Sequence, residues 1–118
     1  MKEIKFRVWD KTSKEMVNIN RIDIGDGLCK PTIFGDVFYD YWNDVELMQY
    51  TGIKDKNGKE IYEGDIVEYH YPSYDDYFNL KVEYKRCAFF IGDFIIYNKR
   101  NFIRVIGNIY ENPELLNN

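Results

Sequence analysis

The segment Lys54–Glu60, KDKNGKE, constrains this chain most, because it demands a tight reversal whose register its own charges decide. Asn57-Gly58 invites a two-residue type I′ hairpin. That register sets Lys56 opposite Lys59 and Asp55 opposite Glu60, so like charges face each other twice. Like charges directly opposite are destabilising, whereas favourable cross-strand pairs contribute roughly 0.2–1 kcal/mol each. A type I turn on Asp55–Gly58, with Gly58 left-handed as a bulge residue, pairs Asp55 with Lys59, Lys54 with Glu60 and Ile53 with Ile61. Three favourable pairs replace two repulsive ones, so the sequence predicts the bulged, three-residue loop. A third arrangement ends the pairing early and gives Glu60–Glu63 a helical turn. Just beyond, Gly64 is expected at positive φ, where glycine has no steric penalty. Asp65 is expected to cap that turn by bonding nearby backbone. An acid/base or metal role for Glu63 and Asp65 is the competing reading, and turn structure is preferred.

Strand signals surround this turn. Ile4, Phe6 and Val8 alternate with Lys5, Arg7 and Trp9, as in a half-buried strand. Asp10–Glu15 reads as the loop of a hairpin whose second arm, Met16–Ile24, ends at Gly25-Asp26-Gly27. Leu28–Asn43 is irregular, and short strand pieces or one helical turn both fit it. Val45–Tyr50 and Ile66–Tyr71 are strands; in the second, Val67, Tyr69 and Tyr71 face one way, Glu68 and His70 the other. Pro72–Asn79 reads as a loop, followed by alternation through Leu80, Val82 and Tyr84 that runs on to Ala88–Ile91. Gly92-Asp93 marks a tight turn before a strand at Phe94–Tyr97, then come a turn at Lys99–Asn101 and a strand at Phe102–Ile106. Pro113–Leu116 fits a terminal helical turn with Asn112 as its cap. Many short strands with regular turns point to one small antiparallel β domain over 1–118, a barrel or sandwich, mainly β with few or no long helices.

Composition supports a packed core without staples. Aromatic residues make up 18% of the 118 residues, alanine occurs once, and Ile, Val, Tyr and Phe favour pleated surfaces over helices. Cys29 and Cys87 are the only cysteines and form no Cys-x-x-Cys or Cys/His cluster, so buried free thiols are expected. Met1–Trp9 lacks the apolar run of a signal peptide, and no stretch reaches the roughly 20 apolar residues of a membrane span. A cytoplasmic protein is the expectation. The net charge of −4 is unevenly spread: Gly35–Leu80 holds eleven acidic and three basic residues, Lys81–Tyr110 six basic and two acidic.

The run LMQYTGIKDKNGKEIYEGDIV, Leu47–Val67, resembles the signature of the YopX family of phage and prophage proteins. KFRVWDKTSKEMV, Lys5–Val17, resembles that family's amino-terminal segment, and VIGNIYENPELL, Val105–Leu116, its carboxyl-terminal one. The three blocks stand in the family's order across nearly the whole chain; Leu28–Trp42 and Pro72–Asn101 match less clearly. The resemblance implies a mostly β fold with a small, partly open SH3-like barrel, coded by a phage or prophage and acting in a bacterial host. It implies no activity and supplies no catalytic residue.

The residues themselves offer little chemistry. His70 is the only histidine and has no nucleophile motif around it, so a solvated strand histidine is expected rather than a triad member. No zinc or calcium ligand pattern and no phosphate-cradling glycine loop is present. No catalytic residue, metal or cofactor is therefore assigned, and a non-enzymatic protein-interaction or assembly module is expected. Tyr74, Tyr77 and Phe78, in the acidic loop, are its candidate contact residues; folding back onto the domain is their other fate. An unpartnered strand edge makes a homo-oligomer plausible. The alternative is a nucleic-acid-binding small barrel using segment 81–104. Its candidate contacts are Lys85, Arg86, Lys99, Arg100 and Arg104, interleaved with Tyr84, Phe89, Tyr97 and Phe102.

Overall fold

Asp55 begins the reversal that the charges of Lys54–Glu60 require. In the computed structural model, which describes residues 4–23, 32–35, 38–39, 45–71 and 73–116, the Gly58 N–H donates to the Asp55 carbonyl at 3.0 Å and Gly58 has φ +85°. The Asp55 N–H donates to the Lys59 carbonyl at 2.8 Å, and Lys54 faces Glu60. The bulged type I turn is thus formed, between strands β5 (Val45–Lys54) and β6 (Glu60–Tyr62). One expected pair is replaced. Tyr50 faces Tyr62, so Thr51, Gly52 and Ile53 all lie opposite the single residue Ile61. Gly52, at φ +83°, makes the detour, and Thr51 fills it. The Thr51 hydroxyl donates to the Ile61 carbonyl at 2.8 Å and accepts the Ile53 N–H at 3.1 Å. Ile53 still packs on the cluster that holds Ile61.

The chain is mainly β, with two antiparallel sheets, one of them curled into a half-barrel. Beyond the first two residues, its contacts divide it into two compact units, Glu3–Gln49 and Tyr50–Asn118. In the first, β1 (Phe6–Asp10), β2 (Glu15–Asp23), β3 (Thr32–Gly35) and β4 (Phe38–Tyr39) pair in sequence, and β1 also pairs with the first half of β5. The Asp10 carboxylate shapes the β1–β2 turn by accepting the Thr12 and Ser13 N–H groups at 2.9 and 3.2 Å. Val8 and Val45 are buried at the centre, with Val17, Ile19 and Leu47 packed around them. The described parts of Leu28–Asn43 are strand pieces, β3 and β4. The Gly25-Asp26-Gly27 break and Cys29 lie outside the described residues.

In the second unit the strand order is β10-β9-β8-β7-β11, with β7 at Asp65–Tyr71, β8 at Asp76–Lys85, β9 at Ala88–Ile91, β10 at Phe94–Ile95 and β11 at Ile103–Asn108. Ile61, Val67, Tyr69, Val82, Ile91, Ile96 and Ile103 form its buried cluster. Gly64, at φ +87°, and Asp65 behave as expected: the buried Asp65 carboxylate accepts the Tyr62 N–H at 2.8 Å. Gly64 also donates its N–H to the Val82 carbonyl at 3.0 Å, tying this turn to β8.

Four expectations are corrected here. Pro72–Asn79 is not all loop, because β8 begins at Asp76 and pairs Tyr77 with His70 and Phe78 with Tyr69. Cross-strand aromatic pairing outweighs the turn-like Asp76 and Asn79. The alternation from Leu80 to Ile91 is broken by a two-residue turn at Arg86-Cys87, both at positive φ, with Lys85 facing Ala88. Cys87 consequently lies exposed rather than buried. Finally, Phe94–Tyr97 is strand only to Ile95; helix α1 (Ile96–Lys99) then buries Ile96, and a 3₁₀ turn carries Arg100–Phe102.

The carboxyl-terminal segment closes on itself. Asn108 is buried, and its side-chain oxygen accepts the Tyr110 and Glu111 N–H groups at 3.0 and 2.9 Å. A 3₁₀ turn follows at Pro113–Leu116, with the Leu115 N–H on the Asn112 carbonyl at 3.1 Å. The Asn112 side chain does not cap that turn but accepts the Asn108 N–H at 3.2 Å. Among the described residues no helix is long and apolar enough to cross a membrane.

Candidate functional site

The β7–β8 hairpin gathers aromatic rings at one end of the second unit. Tyr69 is buried in β7, and Tyr71, two residues on, shares its face. The Tyr74 and Asp75 N–H groups both donate to the Tyr71 carbonyl, at 3.3 and 3.0 Å. This tight turn lays the Tyr74 ring on Tyr71, with centroids 5.1 Å apart and planes 14° from parallel. Register then brings Phe78 opposite Tyr69, and the Gly92-Asp93 turn, with Gly92 at φ +59°, delivers Phe94 to within 5.7 Å of the Tyr69 ring.

Between these rings lies a groove of about 440 Å³. Tyr69, Tyr71, Tyr74, Phe78 and Phe94 wall it, and Asp76 and Asp93 are the charged residues in its lining. Tyr74, Phe78 and Phe94 are 72%, 48% and 39% exposed, so aromatic surface stands in water here rather than completing the core. Exposed apolar side chains usually stand singly, whereas these three share one groove. Lys99, at the end of α1, holds its Nζ 4.7 Å from the Phe94 ring centre and 5.6 Å from that of Tyr69.

Of the three residues expected to make protein contacts, Tyr74 and Phe78 line this groove. Tyr77 lies elsewhere, stacked on the His70 imidazole at 4.5 Å and exposed at 58%. His70 also meets the Asp75 carboxylate at 2.9 Å, an exposed pairing that joins the two ends of the hairpin turn. With Glu68, Asn79 and Leu115, Tyr77 borders a second hollow of about 370 Å³. Sequence reasoning did not assign Tyr69, Tyr71, Phe94, Asp76 or Asp93 to a site. The period-two spacing of Tyr69 and Tyr71 placed them on one face, but only the hairpin register sets Phe78 across from Tyr69 and Asp76 across from Tyr71.

The basic residues expected to contact nucleic acid are spread over several elements. Lys85 ends β8 with its Nζ 5.3 Å over the Phe90 ring, and Arg86 is exposed in the next turn. Lys99 ends α1 and Arg100 follows it, where the Arg100 guanidinium lies 4.0 Å over the Tyr97 ring and donates to the Tyr97 carbonyl at 2.7 Å. Arg104, on β11, donates from Nε to the Glu68 carboxylate of β7 at 2.9 Å. That hydrogen bond, with the Glu68 charge behind it, raises the Arg104 guanidinium above its ordinary value. Among the described residues no group of three or more His, Cys, Asp or Glu side chains is arranged to hold a metal ion.

Comparison with known proteins matches this architecture from end to end. The model of the YopX protein family matches residues 5–117. The solved structure of protein EF1440 from Enterococcus faecalis is 31% identical, covers 98% of this chain and 99% of its own, and superposes with a TM-score of 0.70. That of protein yopX from Bacillus subtilis is 22% identical over 98% of this chain and 99% of its own, with a TM-score of 0.66. No curated protein is significantly similar to the chain. The family model spans the turn at Asp55–Gly58, the aromatic hairpin and the carboxyl-terminal turn alike, and the chain belongs to the YopX family.

Proposed function

We propose that this protein is a non-enzymatic interaction module that docks a segment of a partner protein in the aromatic groove of the β7–β8 hairpin. The observation that carries this reading is the exposure of Tyr74, Phe78 and Phe94 around a groove whose other walls, Tyr69 and Tyr71, belong to the packed unit. Rigid aromatic side chains give large contact area at small conformational cost, which is why they anchor protein interfaces. The charge of the groove favours protein over nucleic acid, since Asp76 and Asp93 repel phosphate. The basic residues of segment 81–104 support nucleic-acid binding less well, because Glu68 holds Arg104 and the Tyr97 ring and carbonyl hold Arg100. In the same reading the curled sheet is a partly open SH3-like barrel, and the protein is phage- or prophage-encoded and works in the cytoplasm of the bacterial host. The family resemblance is what supports these points.

Affinity capture from phage-infected host cells, with and without nuclease, tests the proposal. Wild-type protein is expected to retain protein partners after nuclease treatment. A Tyr74→Ala/Phe78→Ala variant with unchanged circular dichroism is expected to lose them, each anchor contributing about 2 kcal/mol. Recovery that nuclease abolishes, or that Arg100→Glu weakens and the groove variant does not, would overturn the docking reading in favour of nucleic acid. Capture of further copies of the chain alone would identify the partner as the protein itself.

A further inference from the structure

The groove also specifies the chemistry of what it holds. We infer that it receives a cation on an aliphatic stem, a lysine or arginine side chain of the partner segment; this rests on the docking reading above. Aromatic faces carry negative potential and attract an ammonium or guanidinium within about 6 Å of the ring centre. The protein already shows its rings doing so: the Lys99 ammonium sits 4.7 Å from the Phe94 centre and 5.6 Å from that of Tyr69.

The carboxylates point the same way. Asp76 and Asp93 line the groove and, among the described residues, form no ion pair. Asp75, by contrast, meets His70 at 2.9 Å. Among the described residues the groove lining carries the two negative charges of Asp76 and Asp93 and no positive one. An anionic segment would meet these two carboxylates directly. A wholly apolar one would strip water from them and return no partner, a cost that a cationic head group avoids. The methylene stem of a lysine or arginine meanwhile packs against Tyr71, Tyr74 and Phe78, as amphipathic side chains do.

The test is a set of NMR titrations with three probes: N-acetyl-lysine methylamide, N-acetyl-norleucine methylamide, which keeps the four-carbon stem without the ammonium, and N-acetyl-glutamate methylamide. The ring resonances of Tyr71, Tyr74 and Phe94 are followed. The lysine probe is expected to shift them with about five-fold higher affinity than the norleucine probe, and the glutamate probe to leave them unmoved. In an Asp76→Asn/Asp93→Asn variant, whose substitutions are isosteric and exposed, the lysine advantage is expected to fall toward parity while norleucine binding persists. Norleucine binding equal to or tighter than lysine in the wild type would overturn the cation assignment and leave the docking reading standing. Silence from all three probes would also overturn it, and the Tyr74/Phe78 capture comparison would then decide the docking reading separately.

Discussion

The Asp55 carboxylate collects three backbone N–H groups. Its Oδ1 accepts those of Asn57 and Lys59 at 2.8 and 2.9 Å, and its Oδ2 that of Val105, in β11, at 2.8 Å. The Lys56 N–H, on the Ile103 carbonyl at 3.1 Å, adds a second tie between the same turn and strand. Asp55 is only 7% exposed, so removing its oxygens leaves donors that water reaches poorly. Asp55→Ala is expected to destabilise by about 3 kcal/mol, read as a lower urea midpoint at unchanged slope. Asp55→Asn, which keeps one acceptor oxygen, is expected to lose about half as much. Near-equal midpoints for wild type and Asp55→Ala would show that the turn stands without its clasp. Gly107 is constrained differently. A Cβ there would lie 2.5 Å from the Asn112 Oδ1 that accepts the Asn108 N–H. Gly107→Ala is therefore expected to cost about 2 kcal/mol in the same assay by prising that loop open.

Among the elements, the β8–β9 hairpin is the least comfortable. Arg86 and Cys87 take φ of +50° and +64° in a two-residue turn, the conformation for which asparagine and glycine are suited. Arg86→Asn/Cys87→Gly is expected to stabilise the protein by about 1 kcal/mol, seen as a Tm increase of roughly 4 °C. An unchanged or lower Tm would mean that the two side chains make good the backbone cost. The same hairpin shows where the sequence is legible. Charges across Lys54–Glu60 decide their own register, because opposite residues there are close in the chain and their pairing is local. Nothing local separates β8 from β9, since the apolar alternation runs through Arg86-Cys87 and neither residue advertises a turn. The start of β8 was hidden for the opposite reason: Asp75, Asp76 and Asn79 look like loop residues. The pairing of Tyr77 with His70 draws Asp76 and Asn79 into the strand and leaves Asp75 in the turn.

At the scale of the second unit, the acidic and basic stretches of the sequence are brought together rather than kept apart. The groove draws Asp76 from the acidic stretch Gly35–Leu80 and Asp93 from the basic stretch Lys81–Tyr110. Arg104 of the basic stretch is held by Glu68 of the acidic one. Tyr74 and Phe78, which line the groove, were legible as candidates because an aromatic-rich acidic loop stands out in the sequence. Tyr69 and Phe94 were not, because a buried strand tyrosine and a groove wall look alike until the fold brings β7 and β10 to the same place. Electrostatic docking of a cationic segment is expected to weaken as salt rises from 50 to 500 mM, as the Debye length falls below about 10 Å. The most direct test of the docking reading places a photo-crosslinking phenylalanine analogue at Tyr74, at Phe78 or at Tyr84, which is 54% exposed but outside the groove. Irradiation in infected cells is expected to give discrete protein adducts from the first two positions and none from Tyr84. Adducts from Tyr84 alone, or equally from all three, would contradict the assignment of the groove as the docking site.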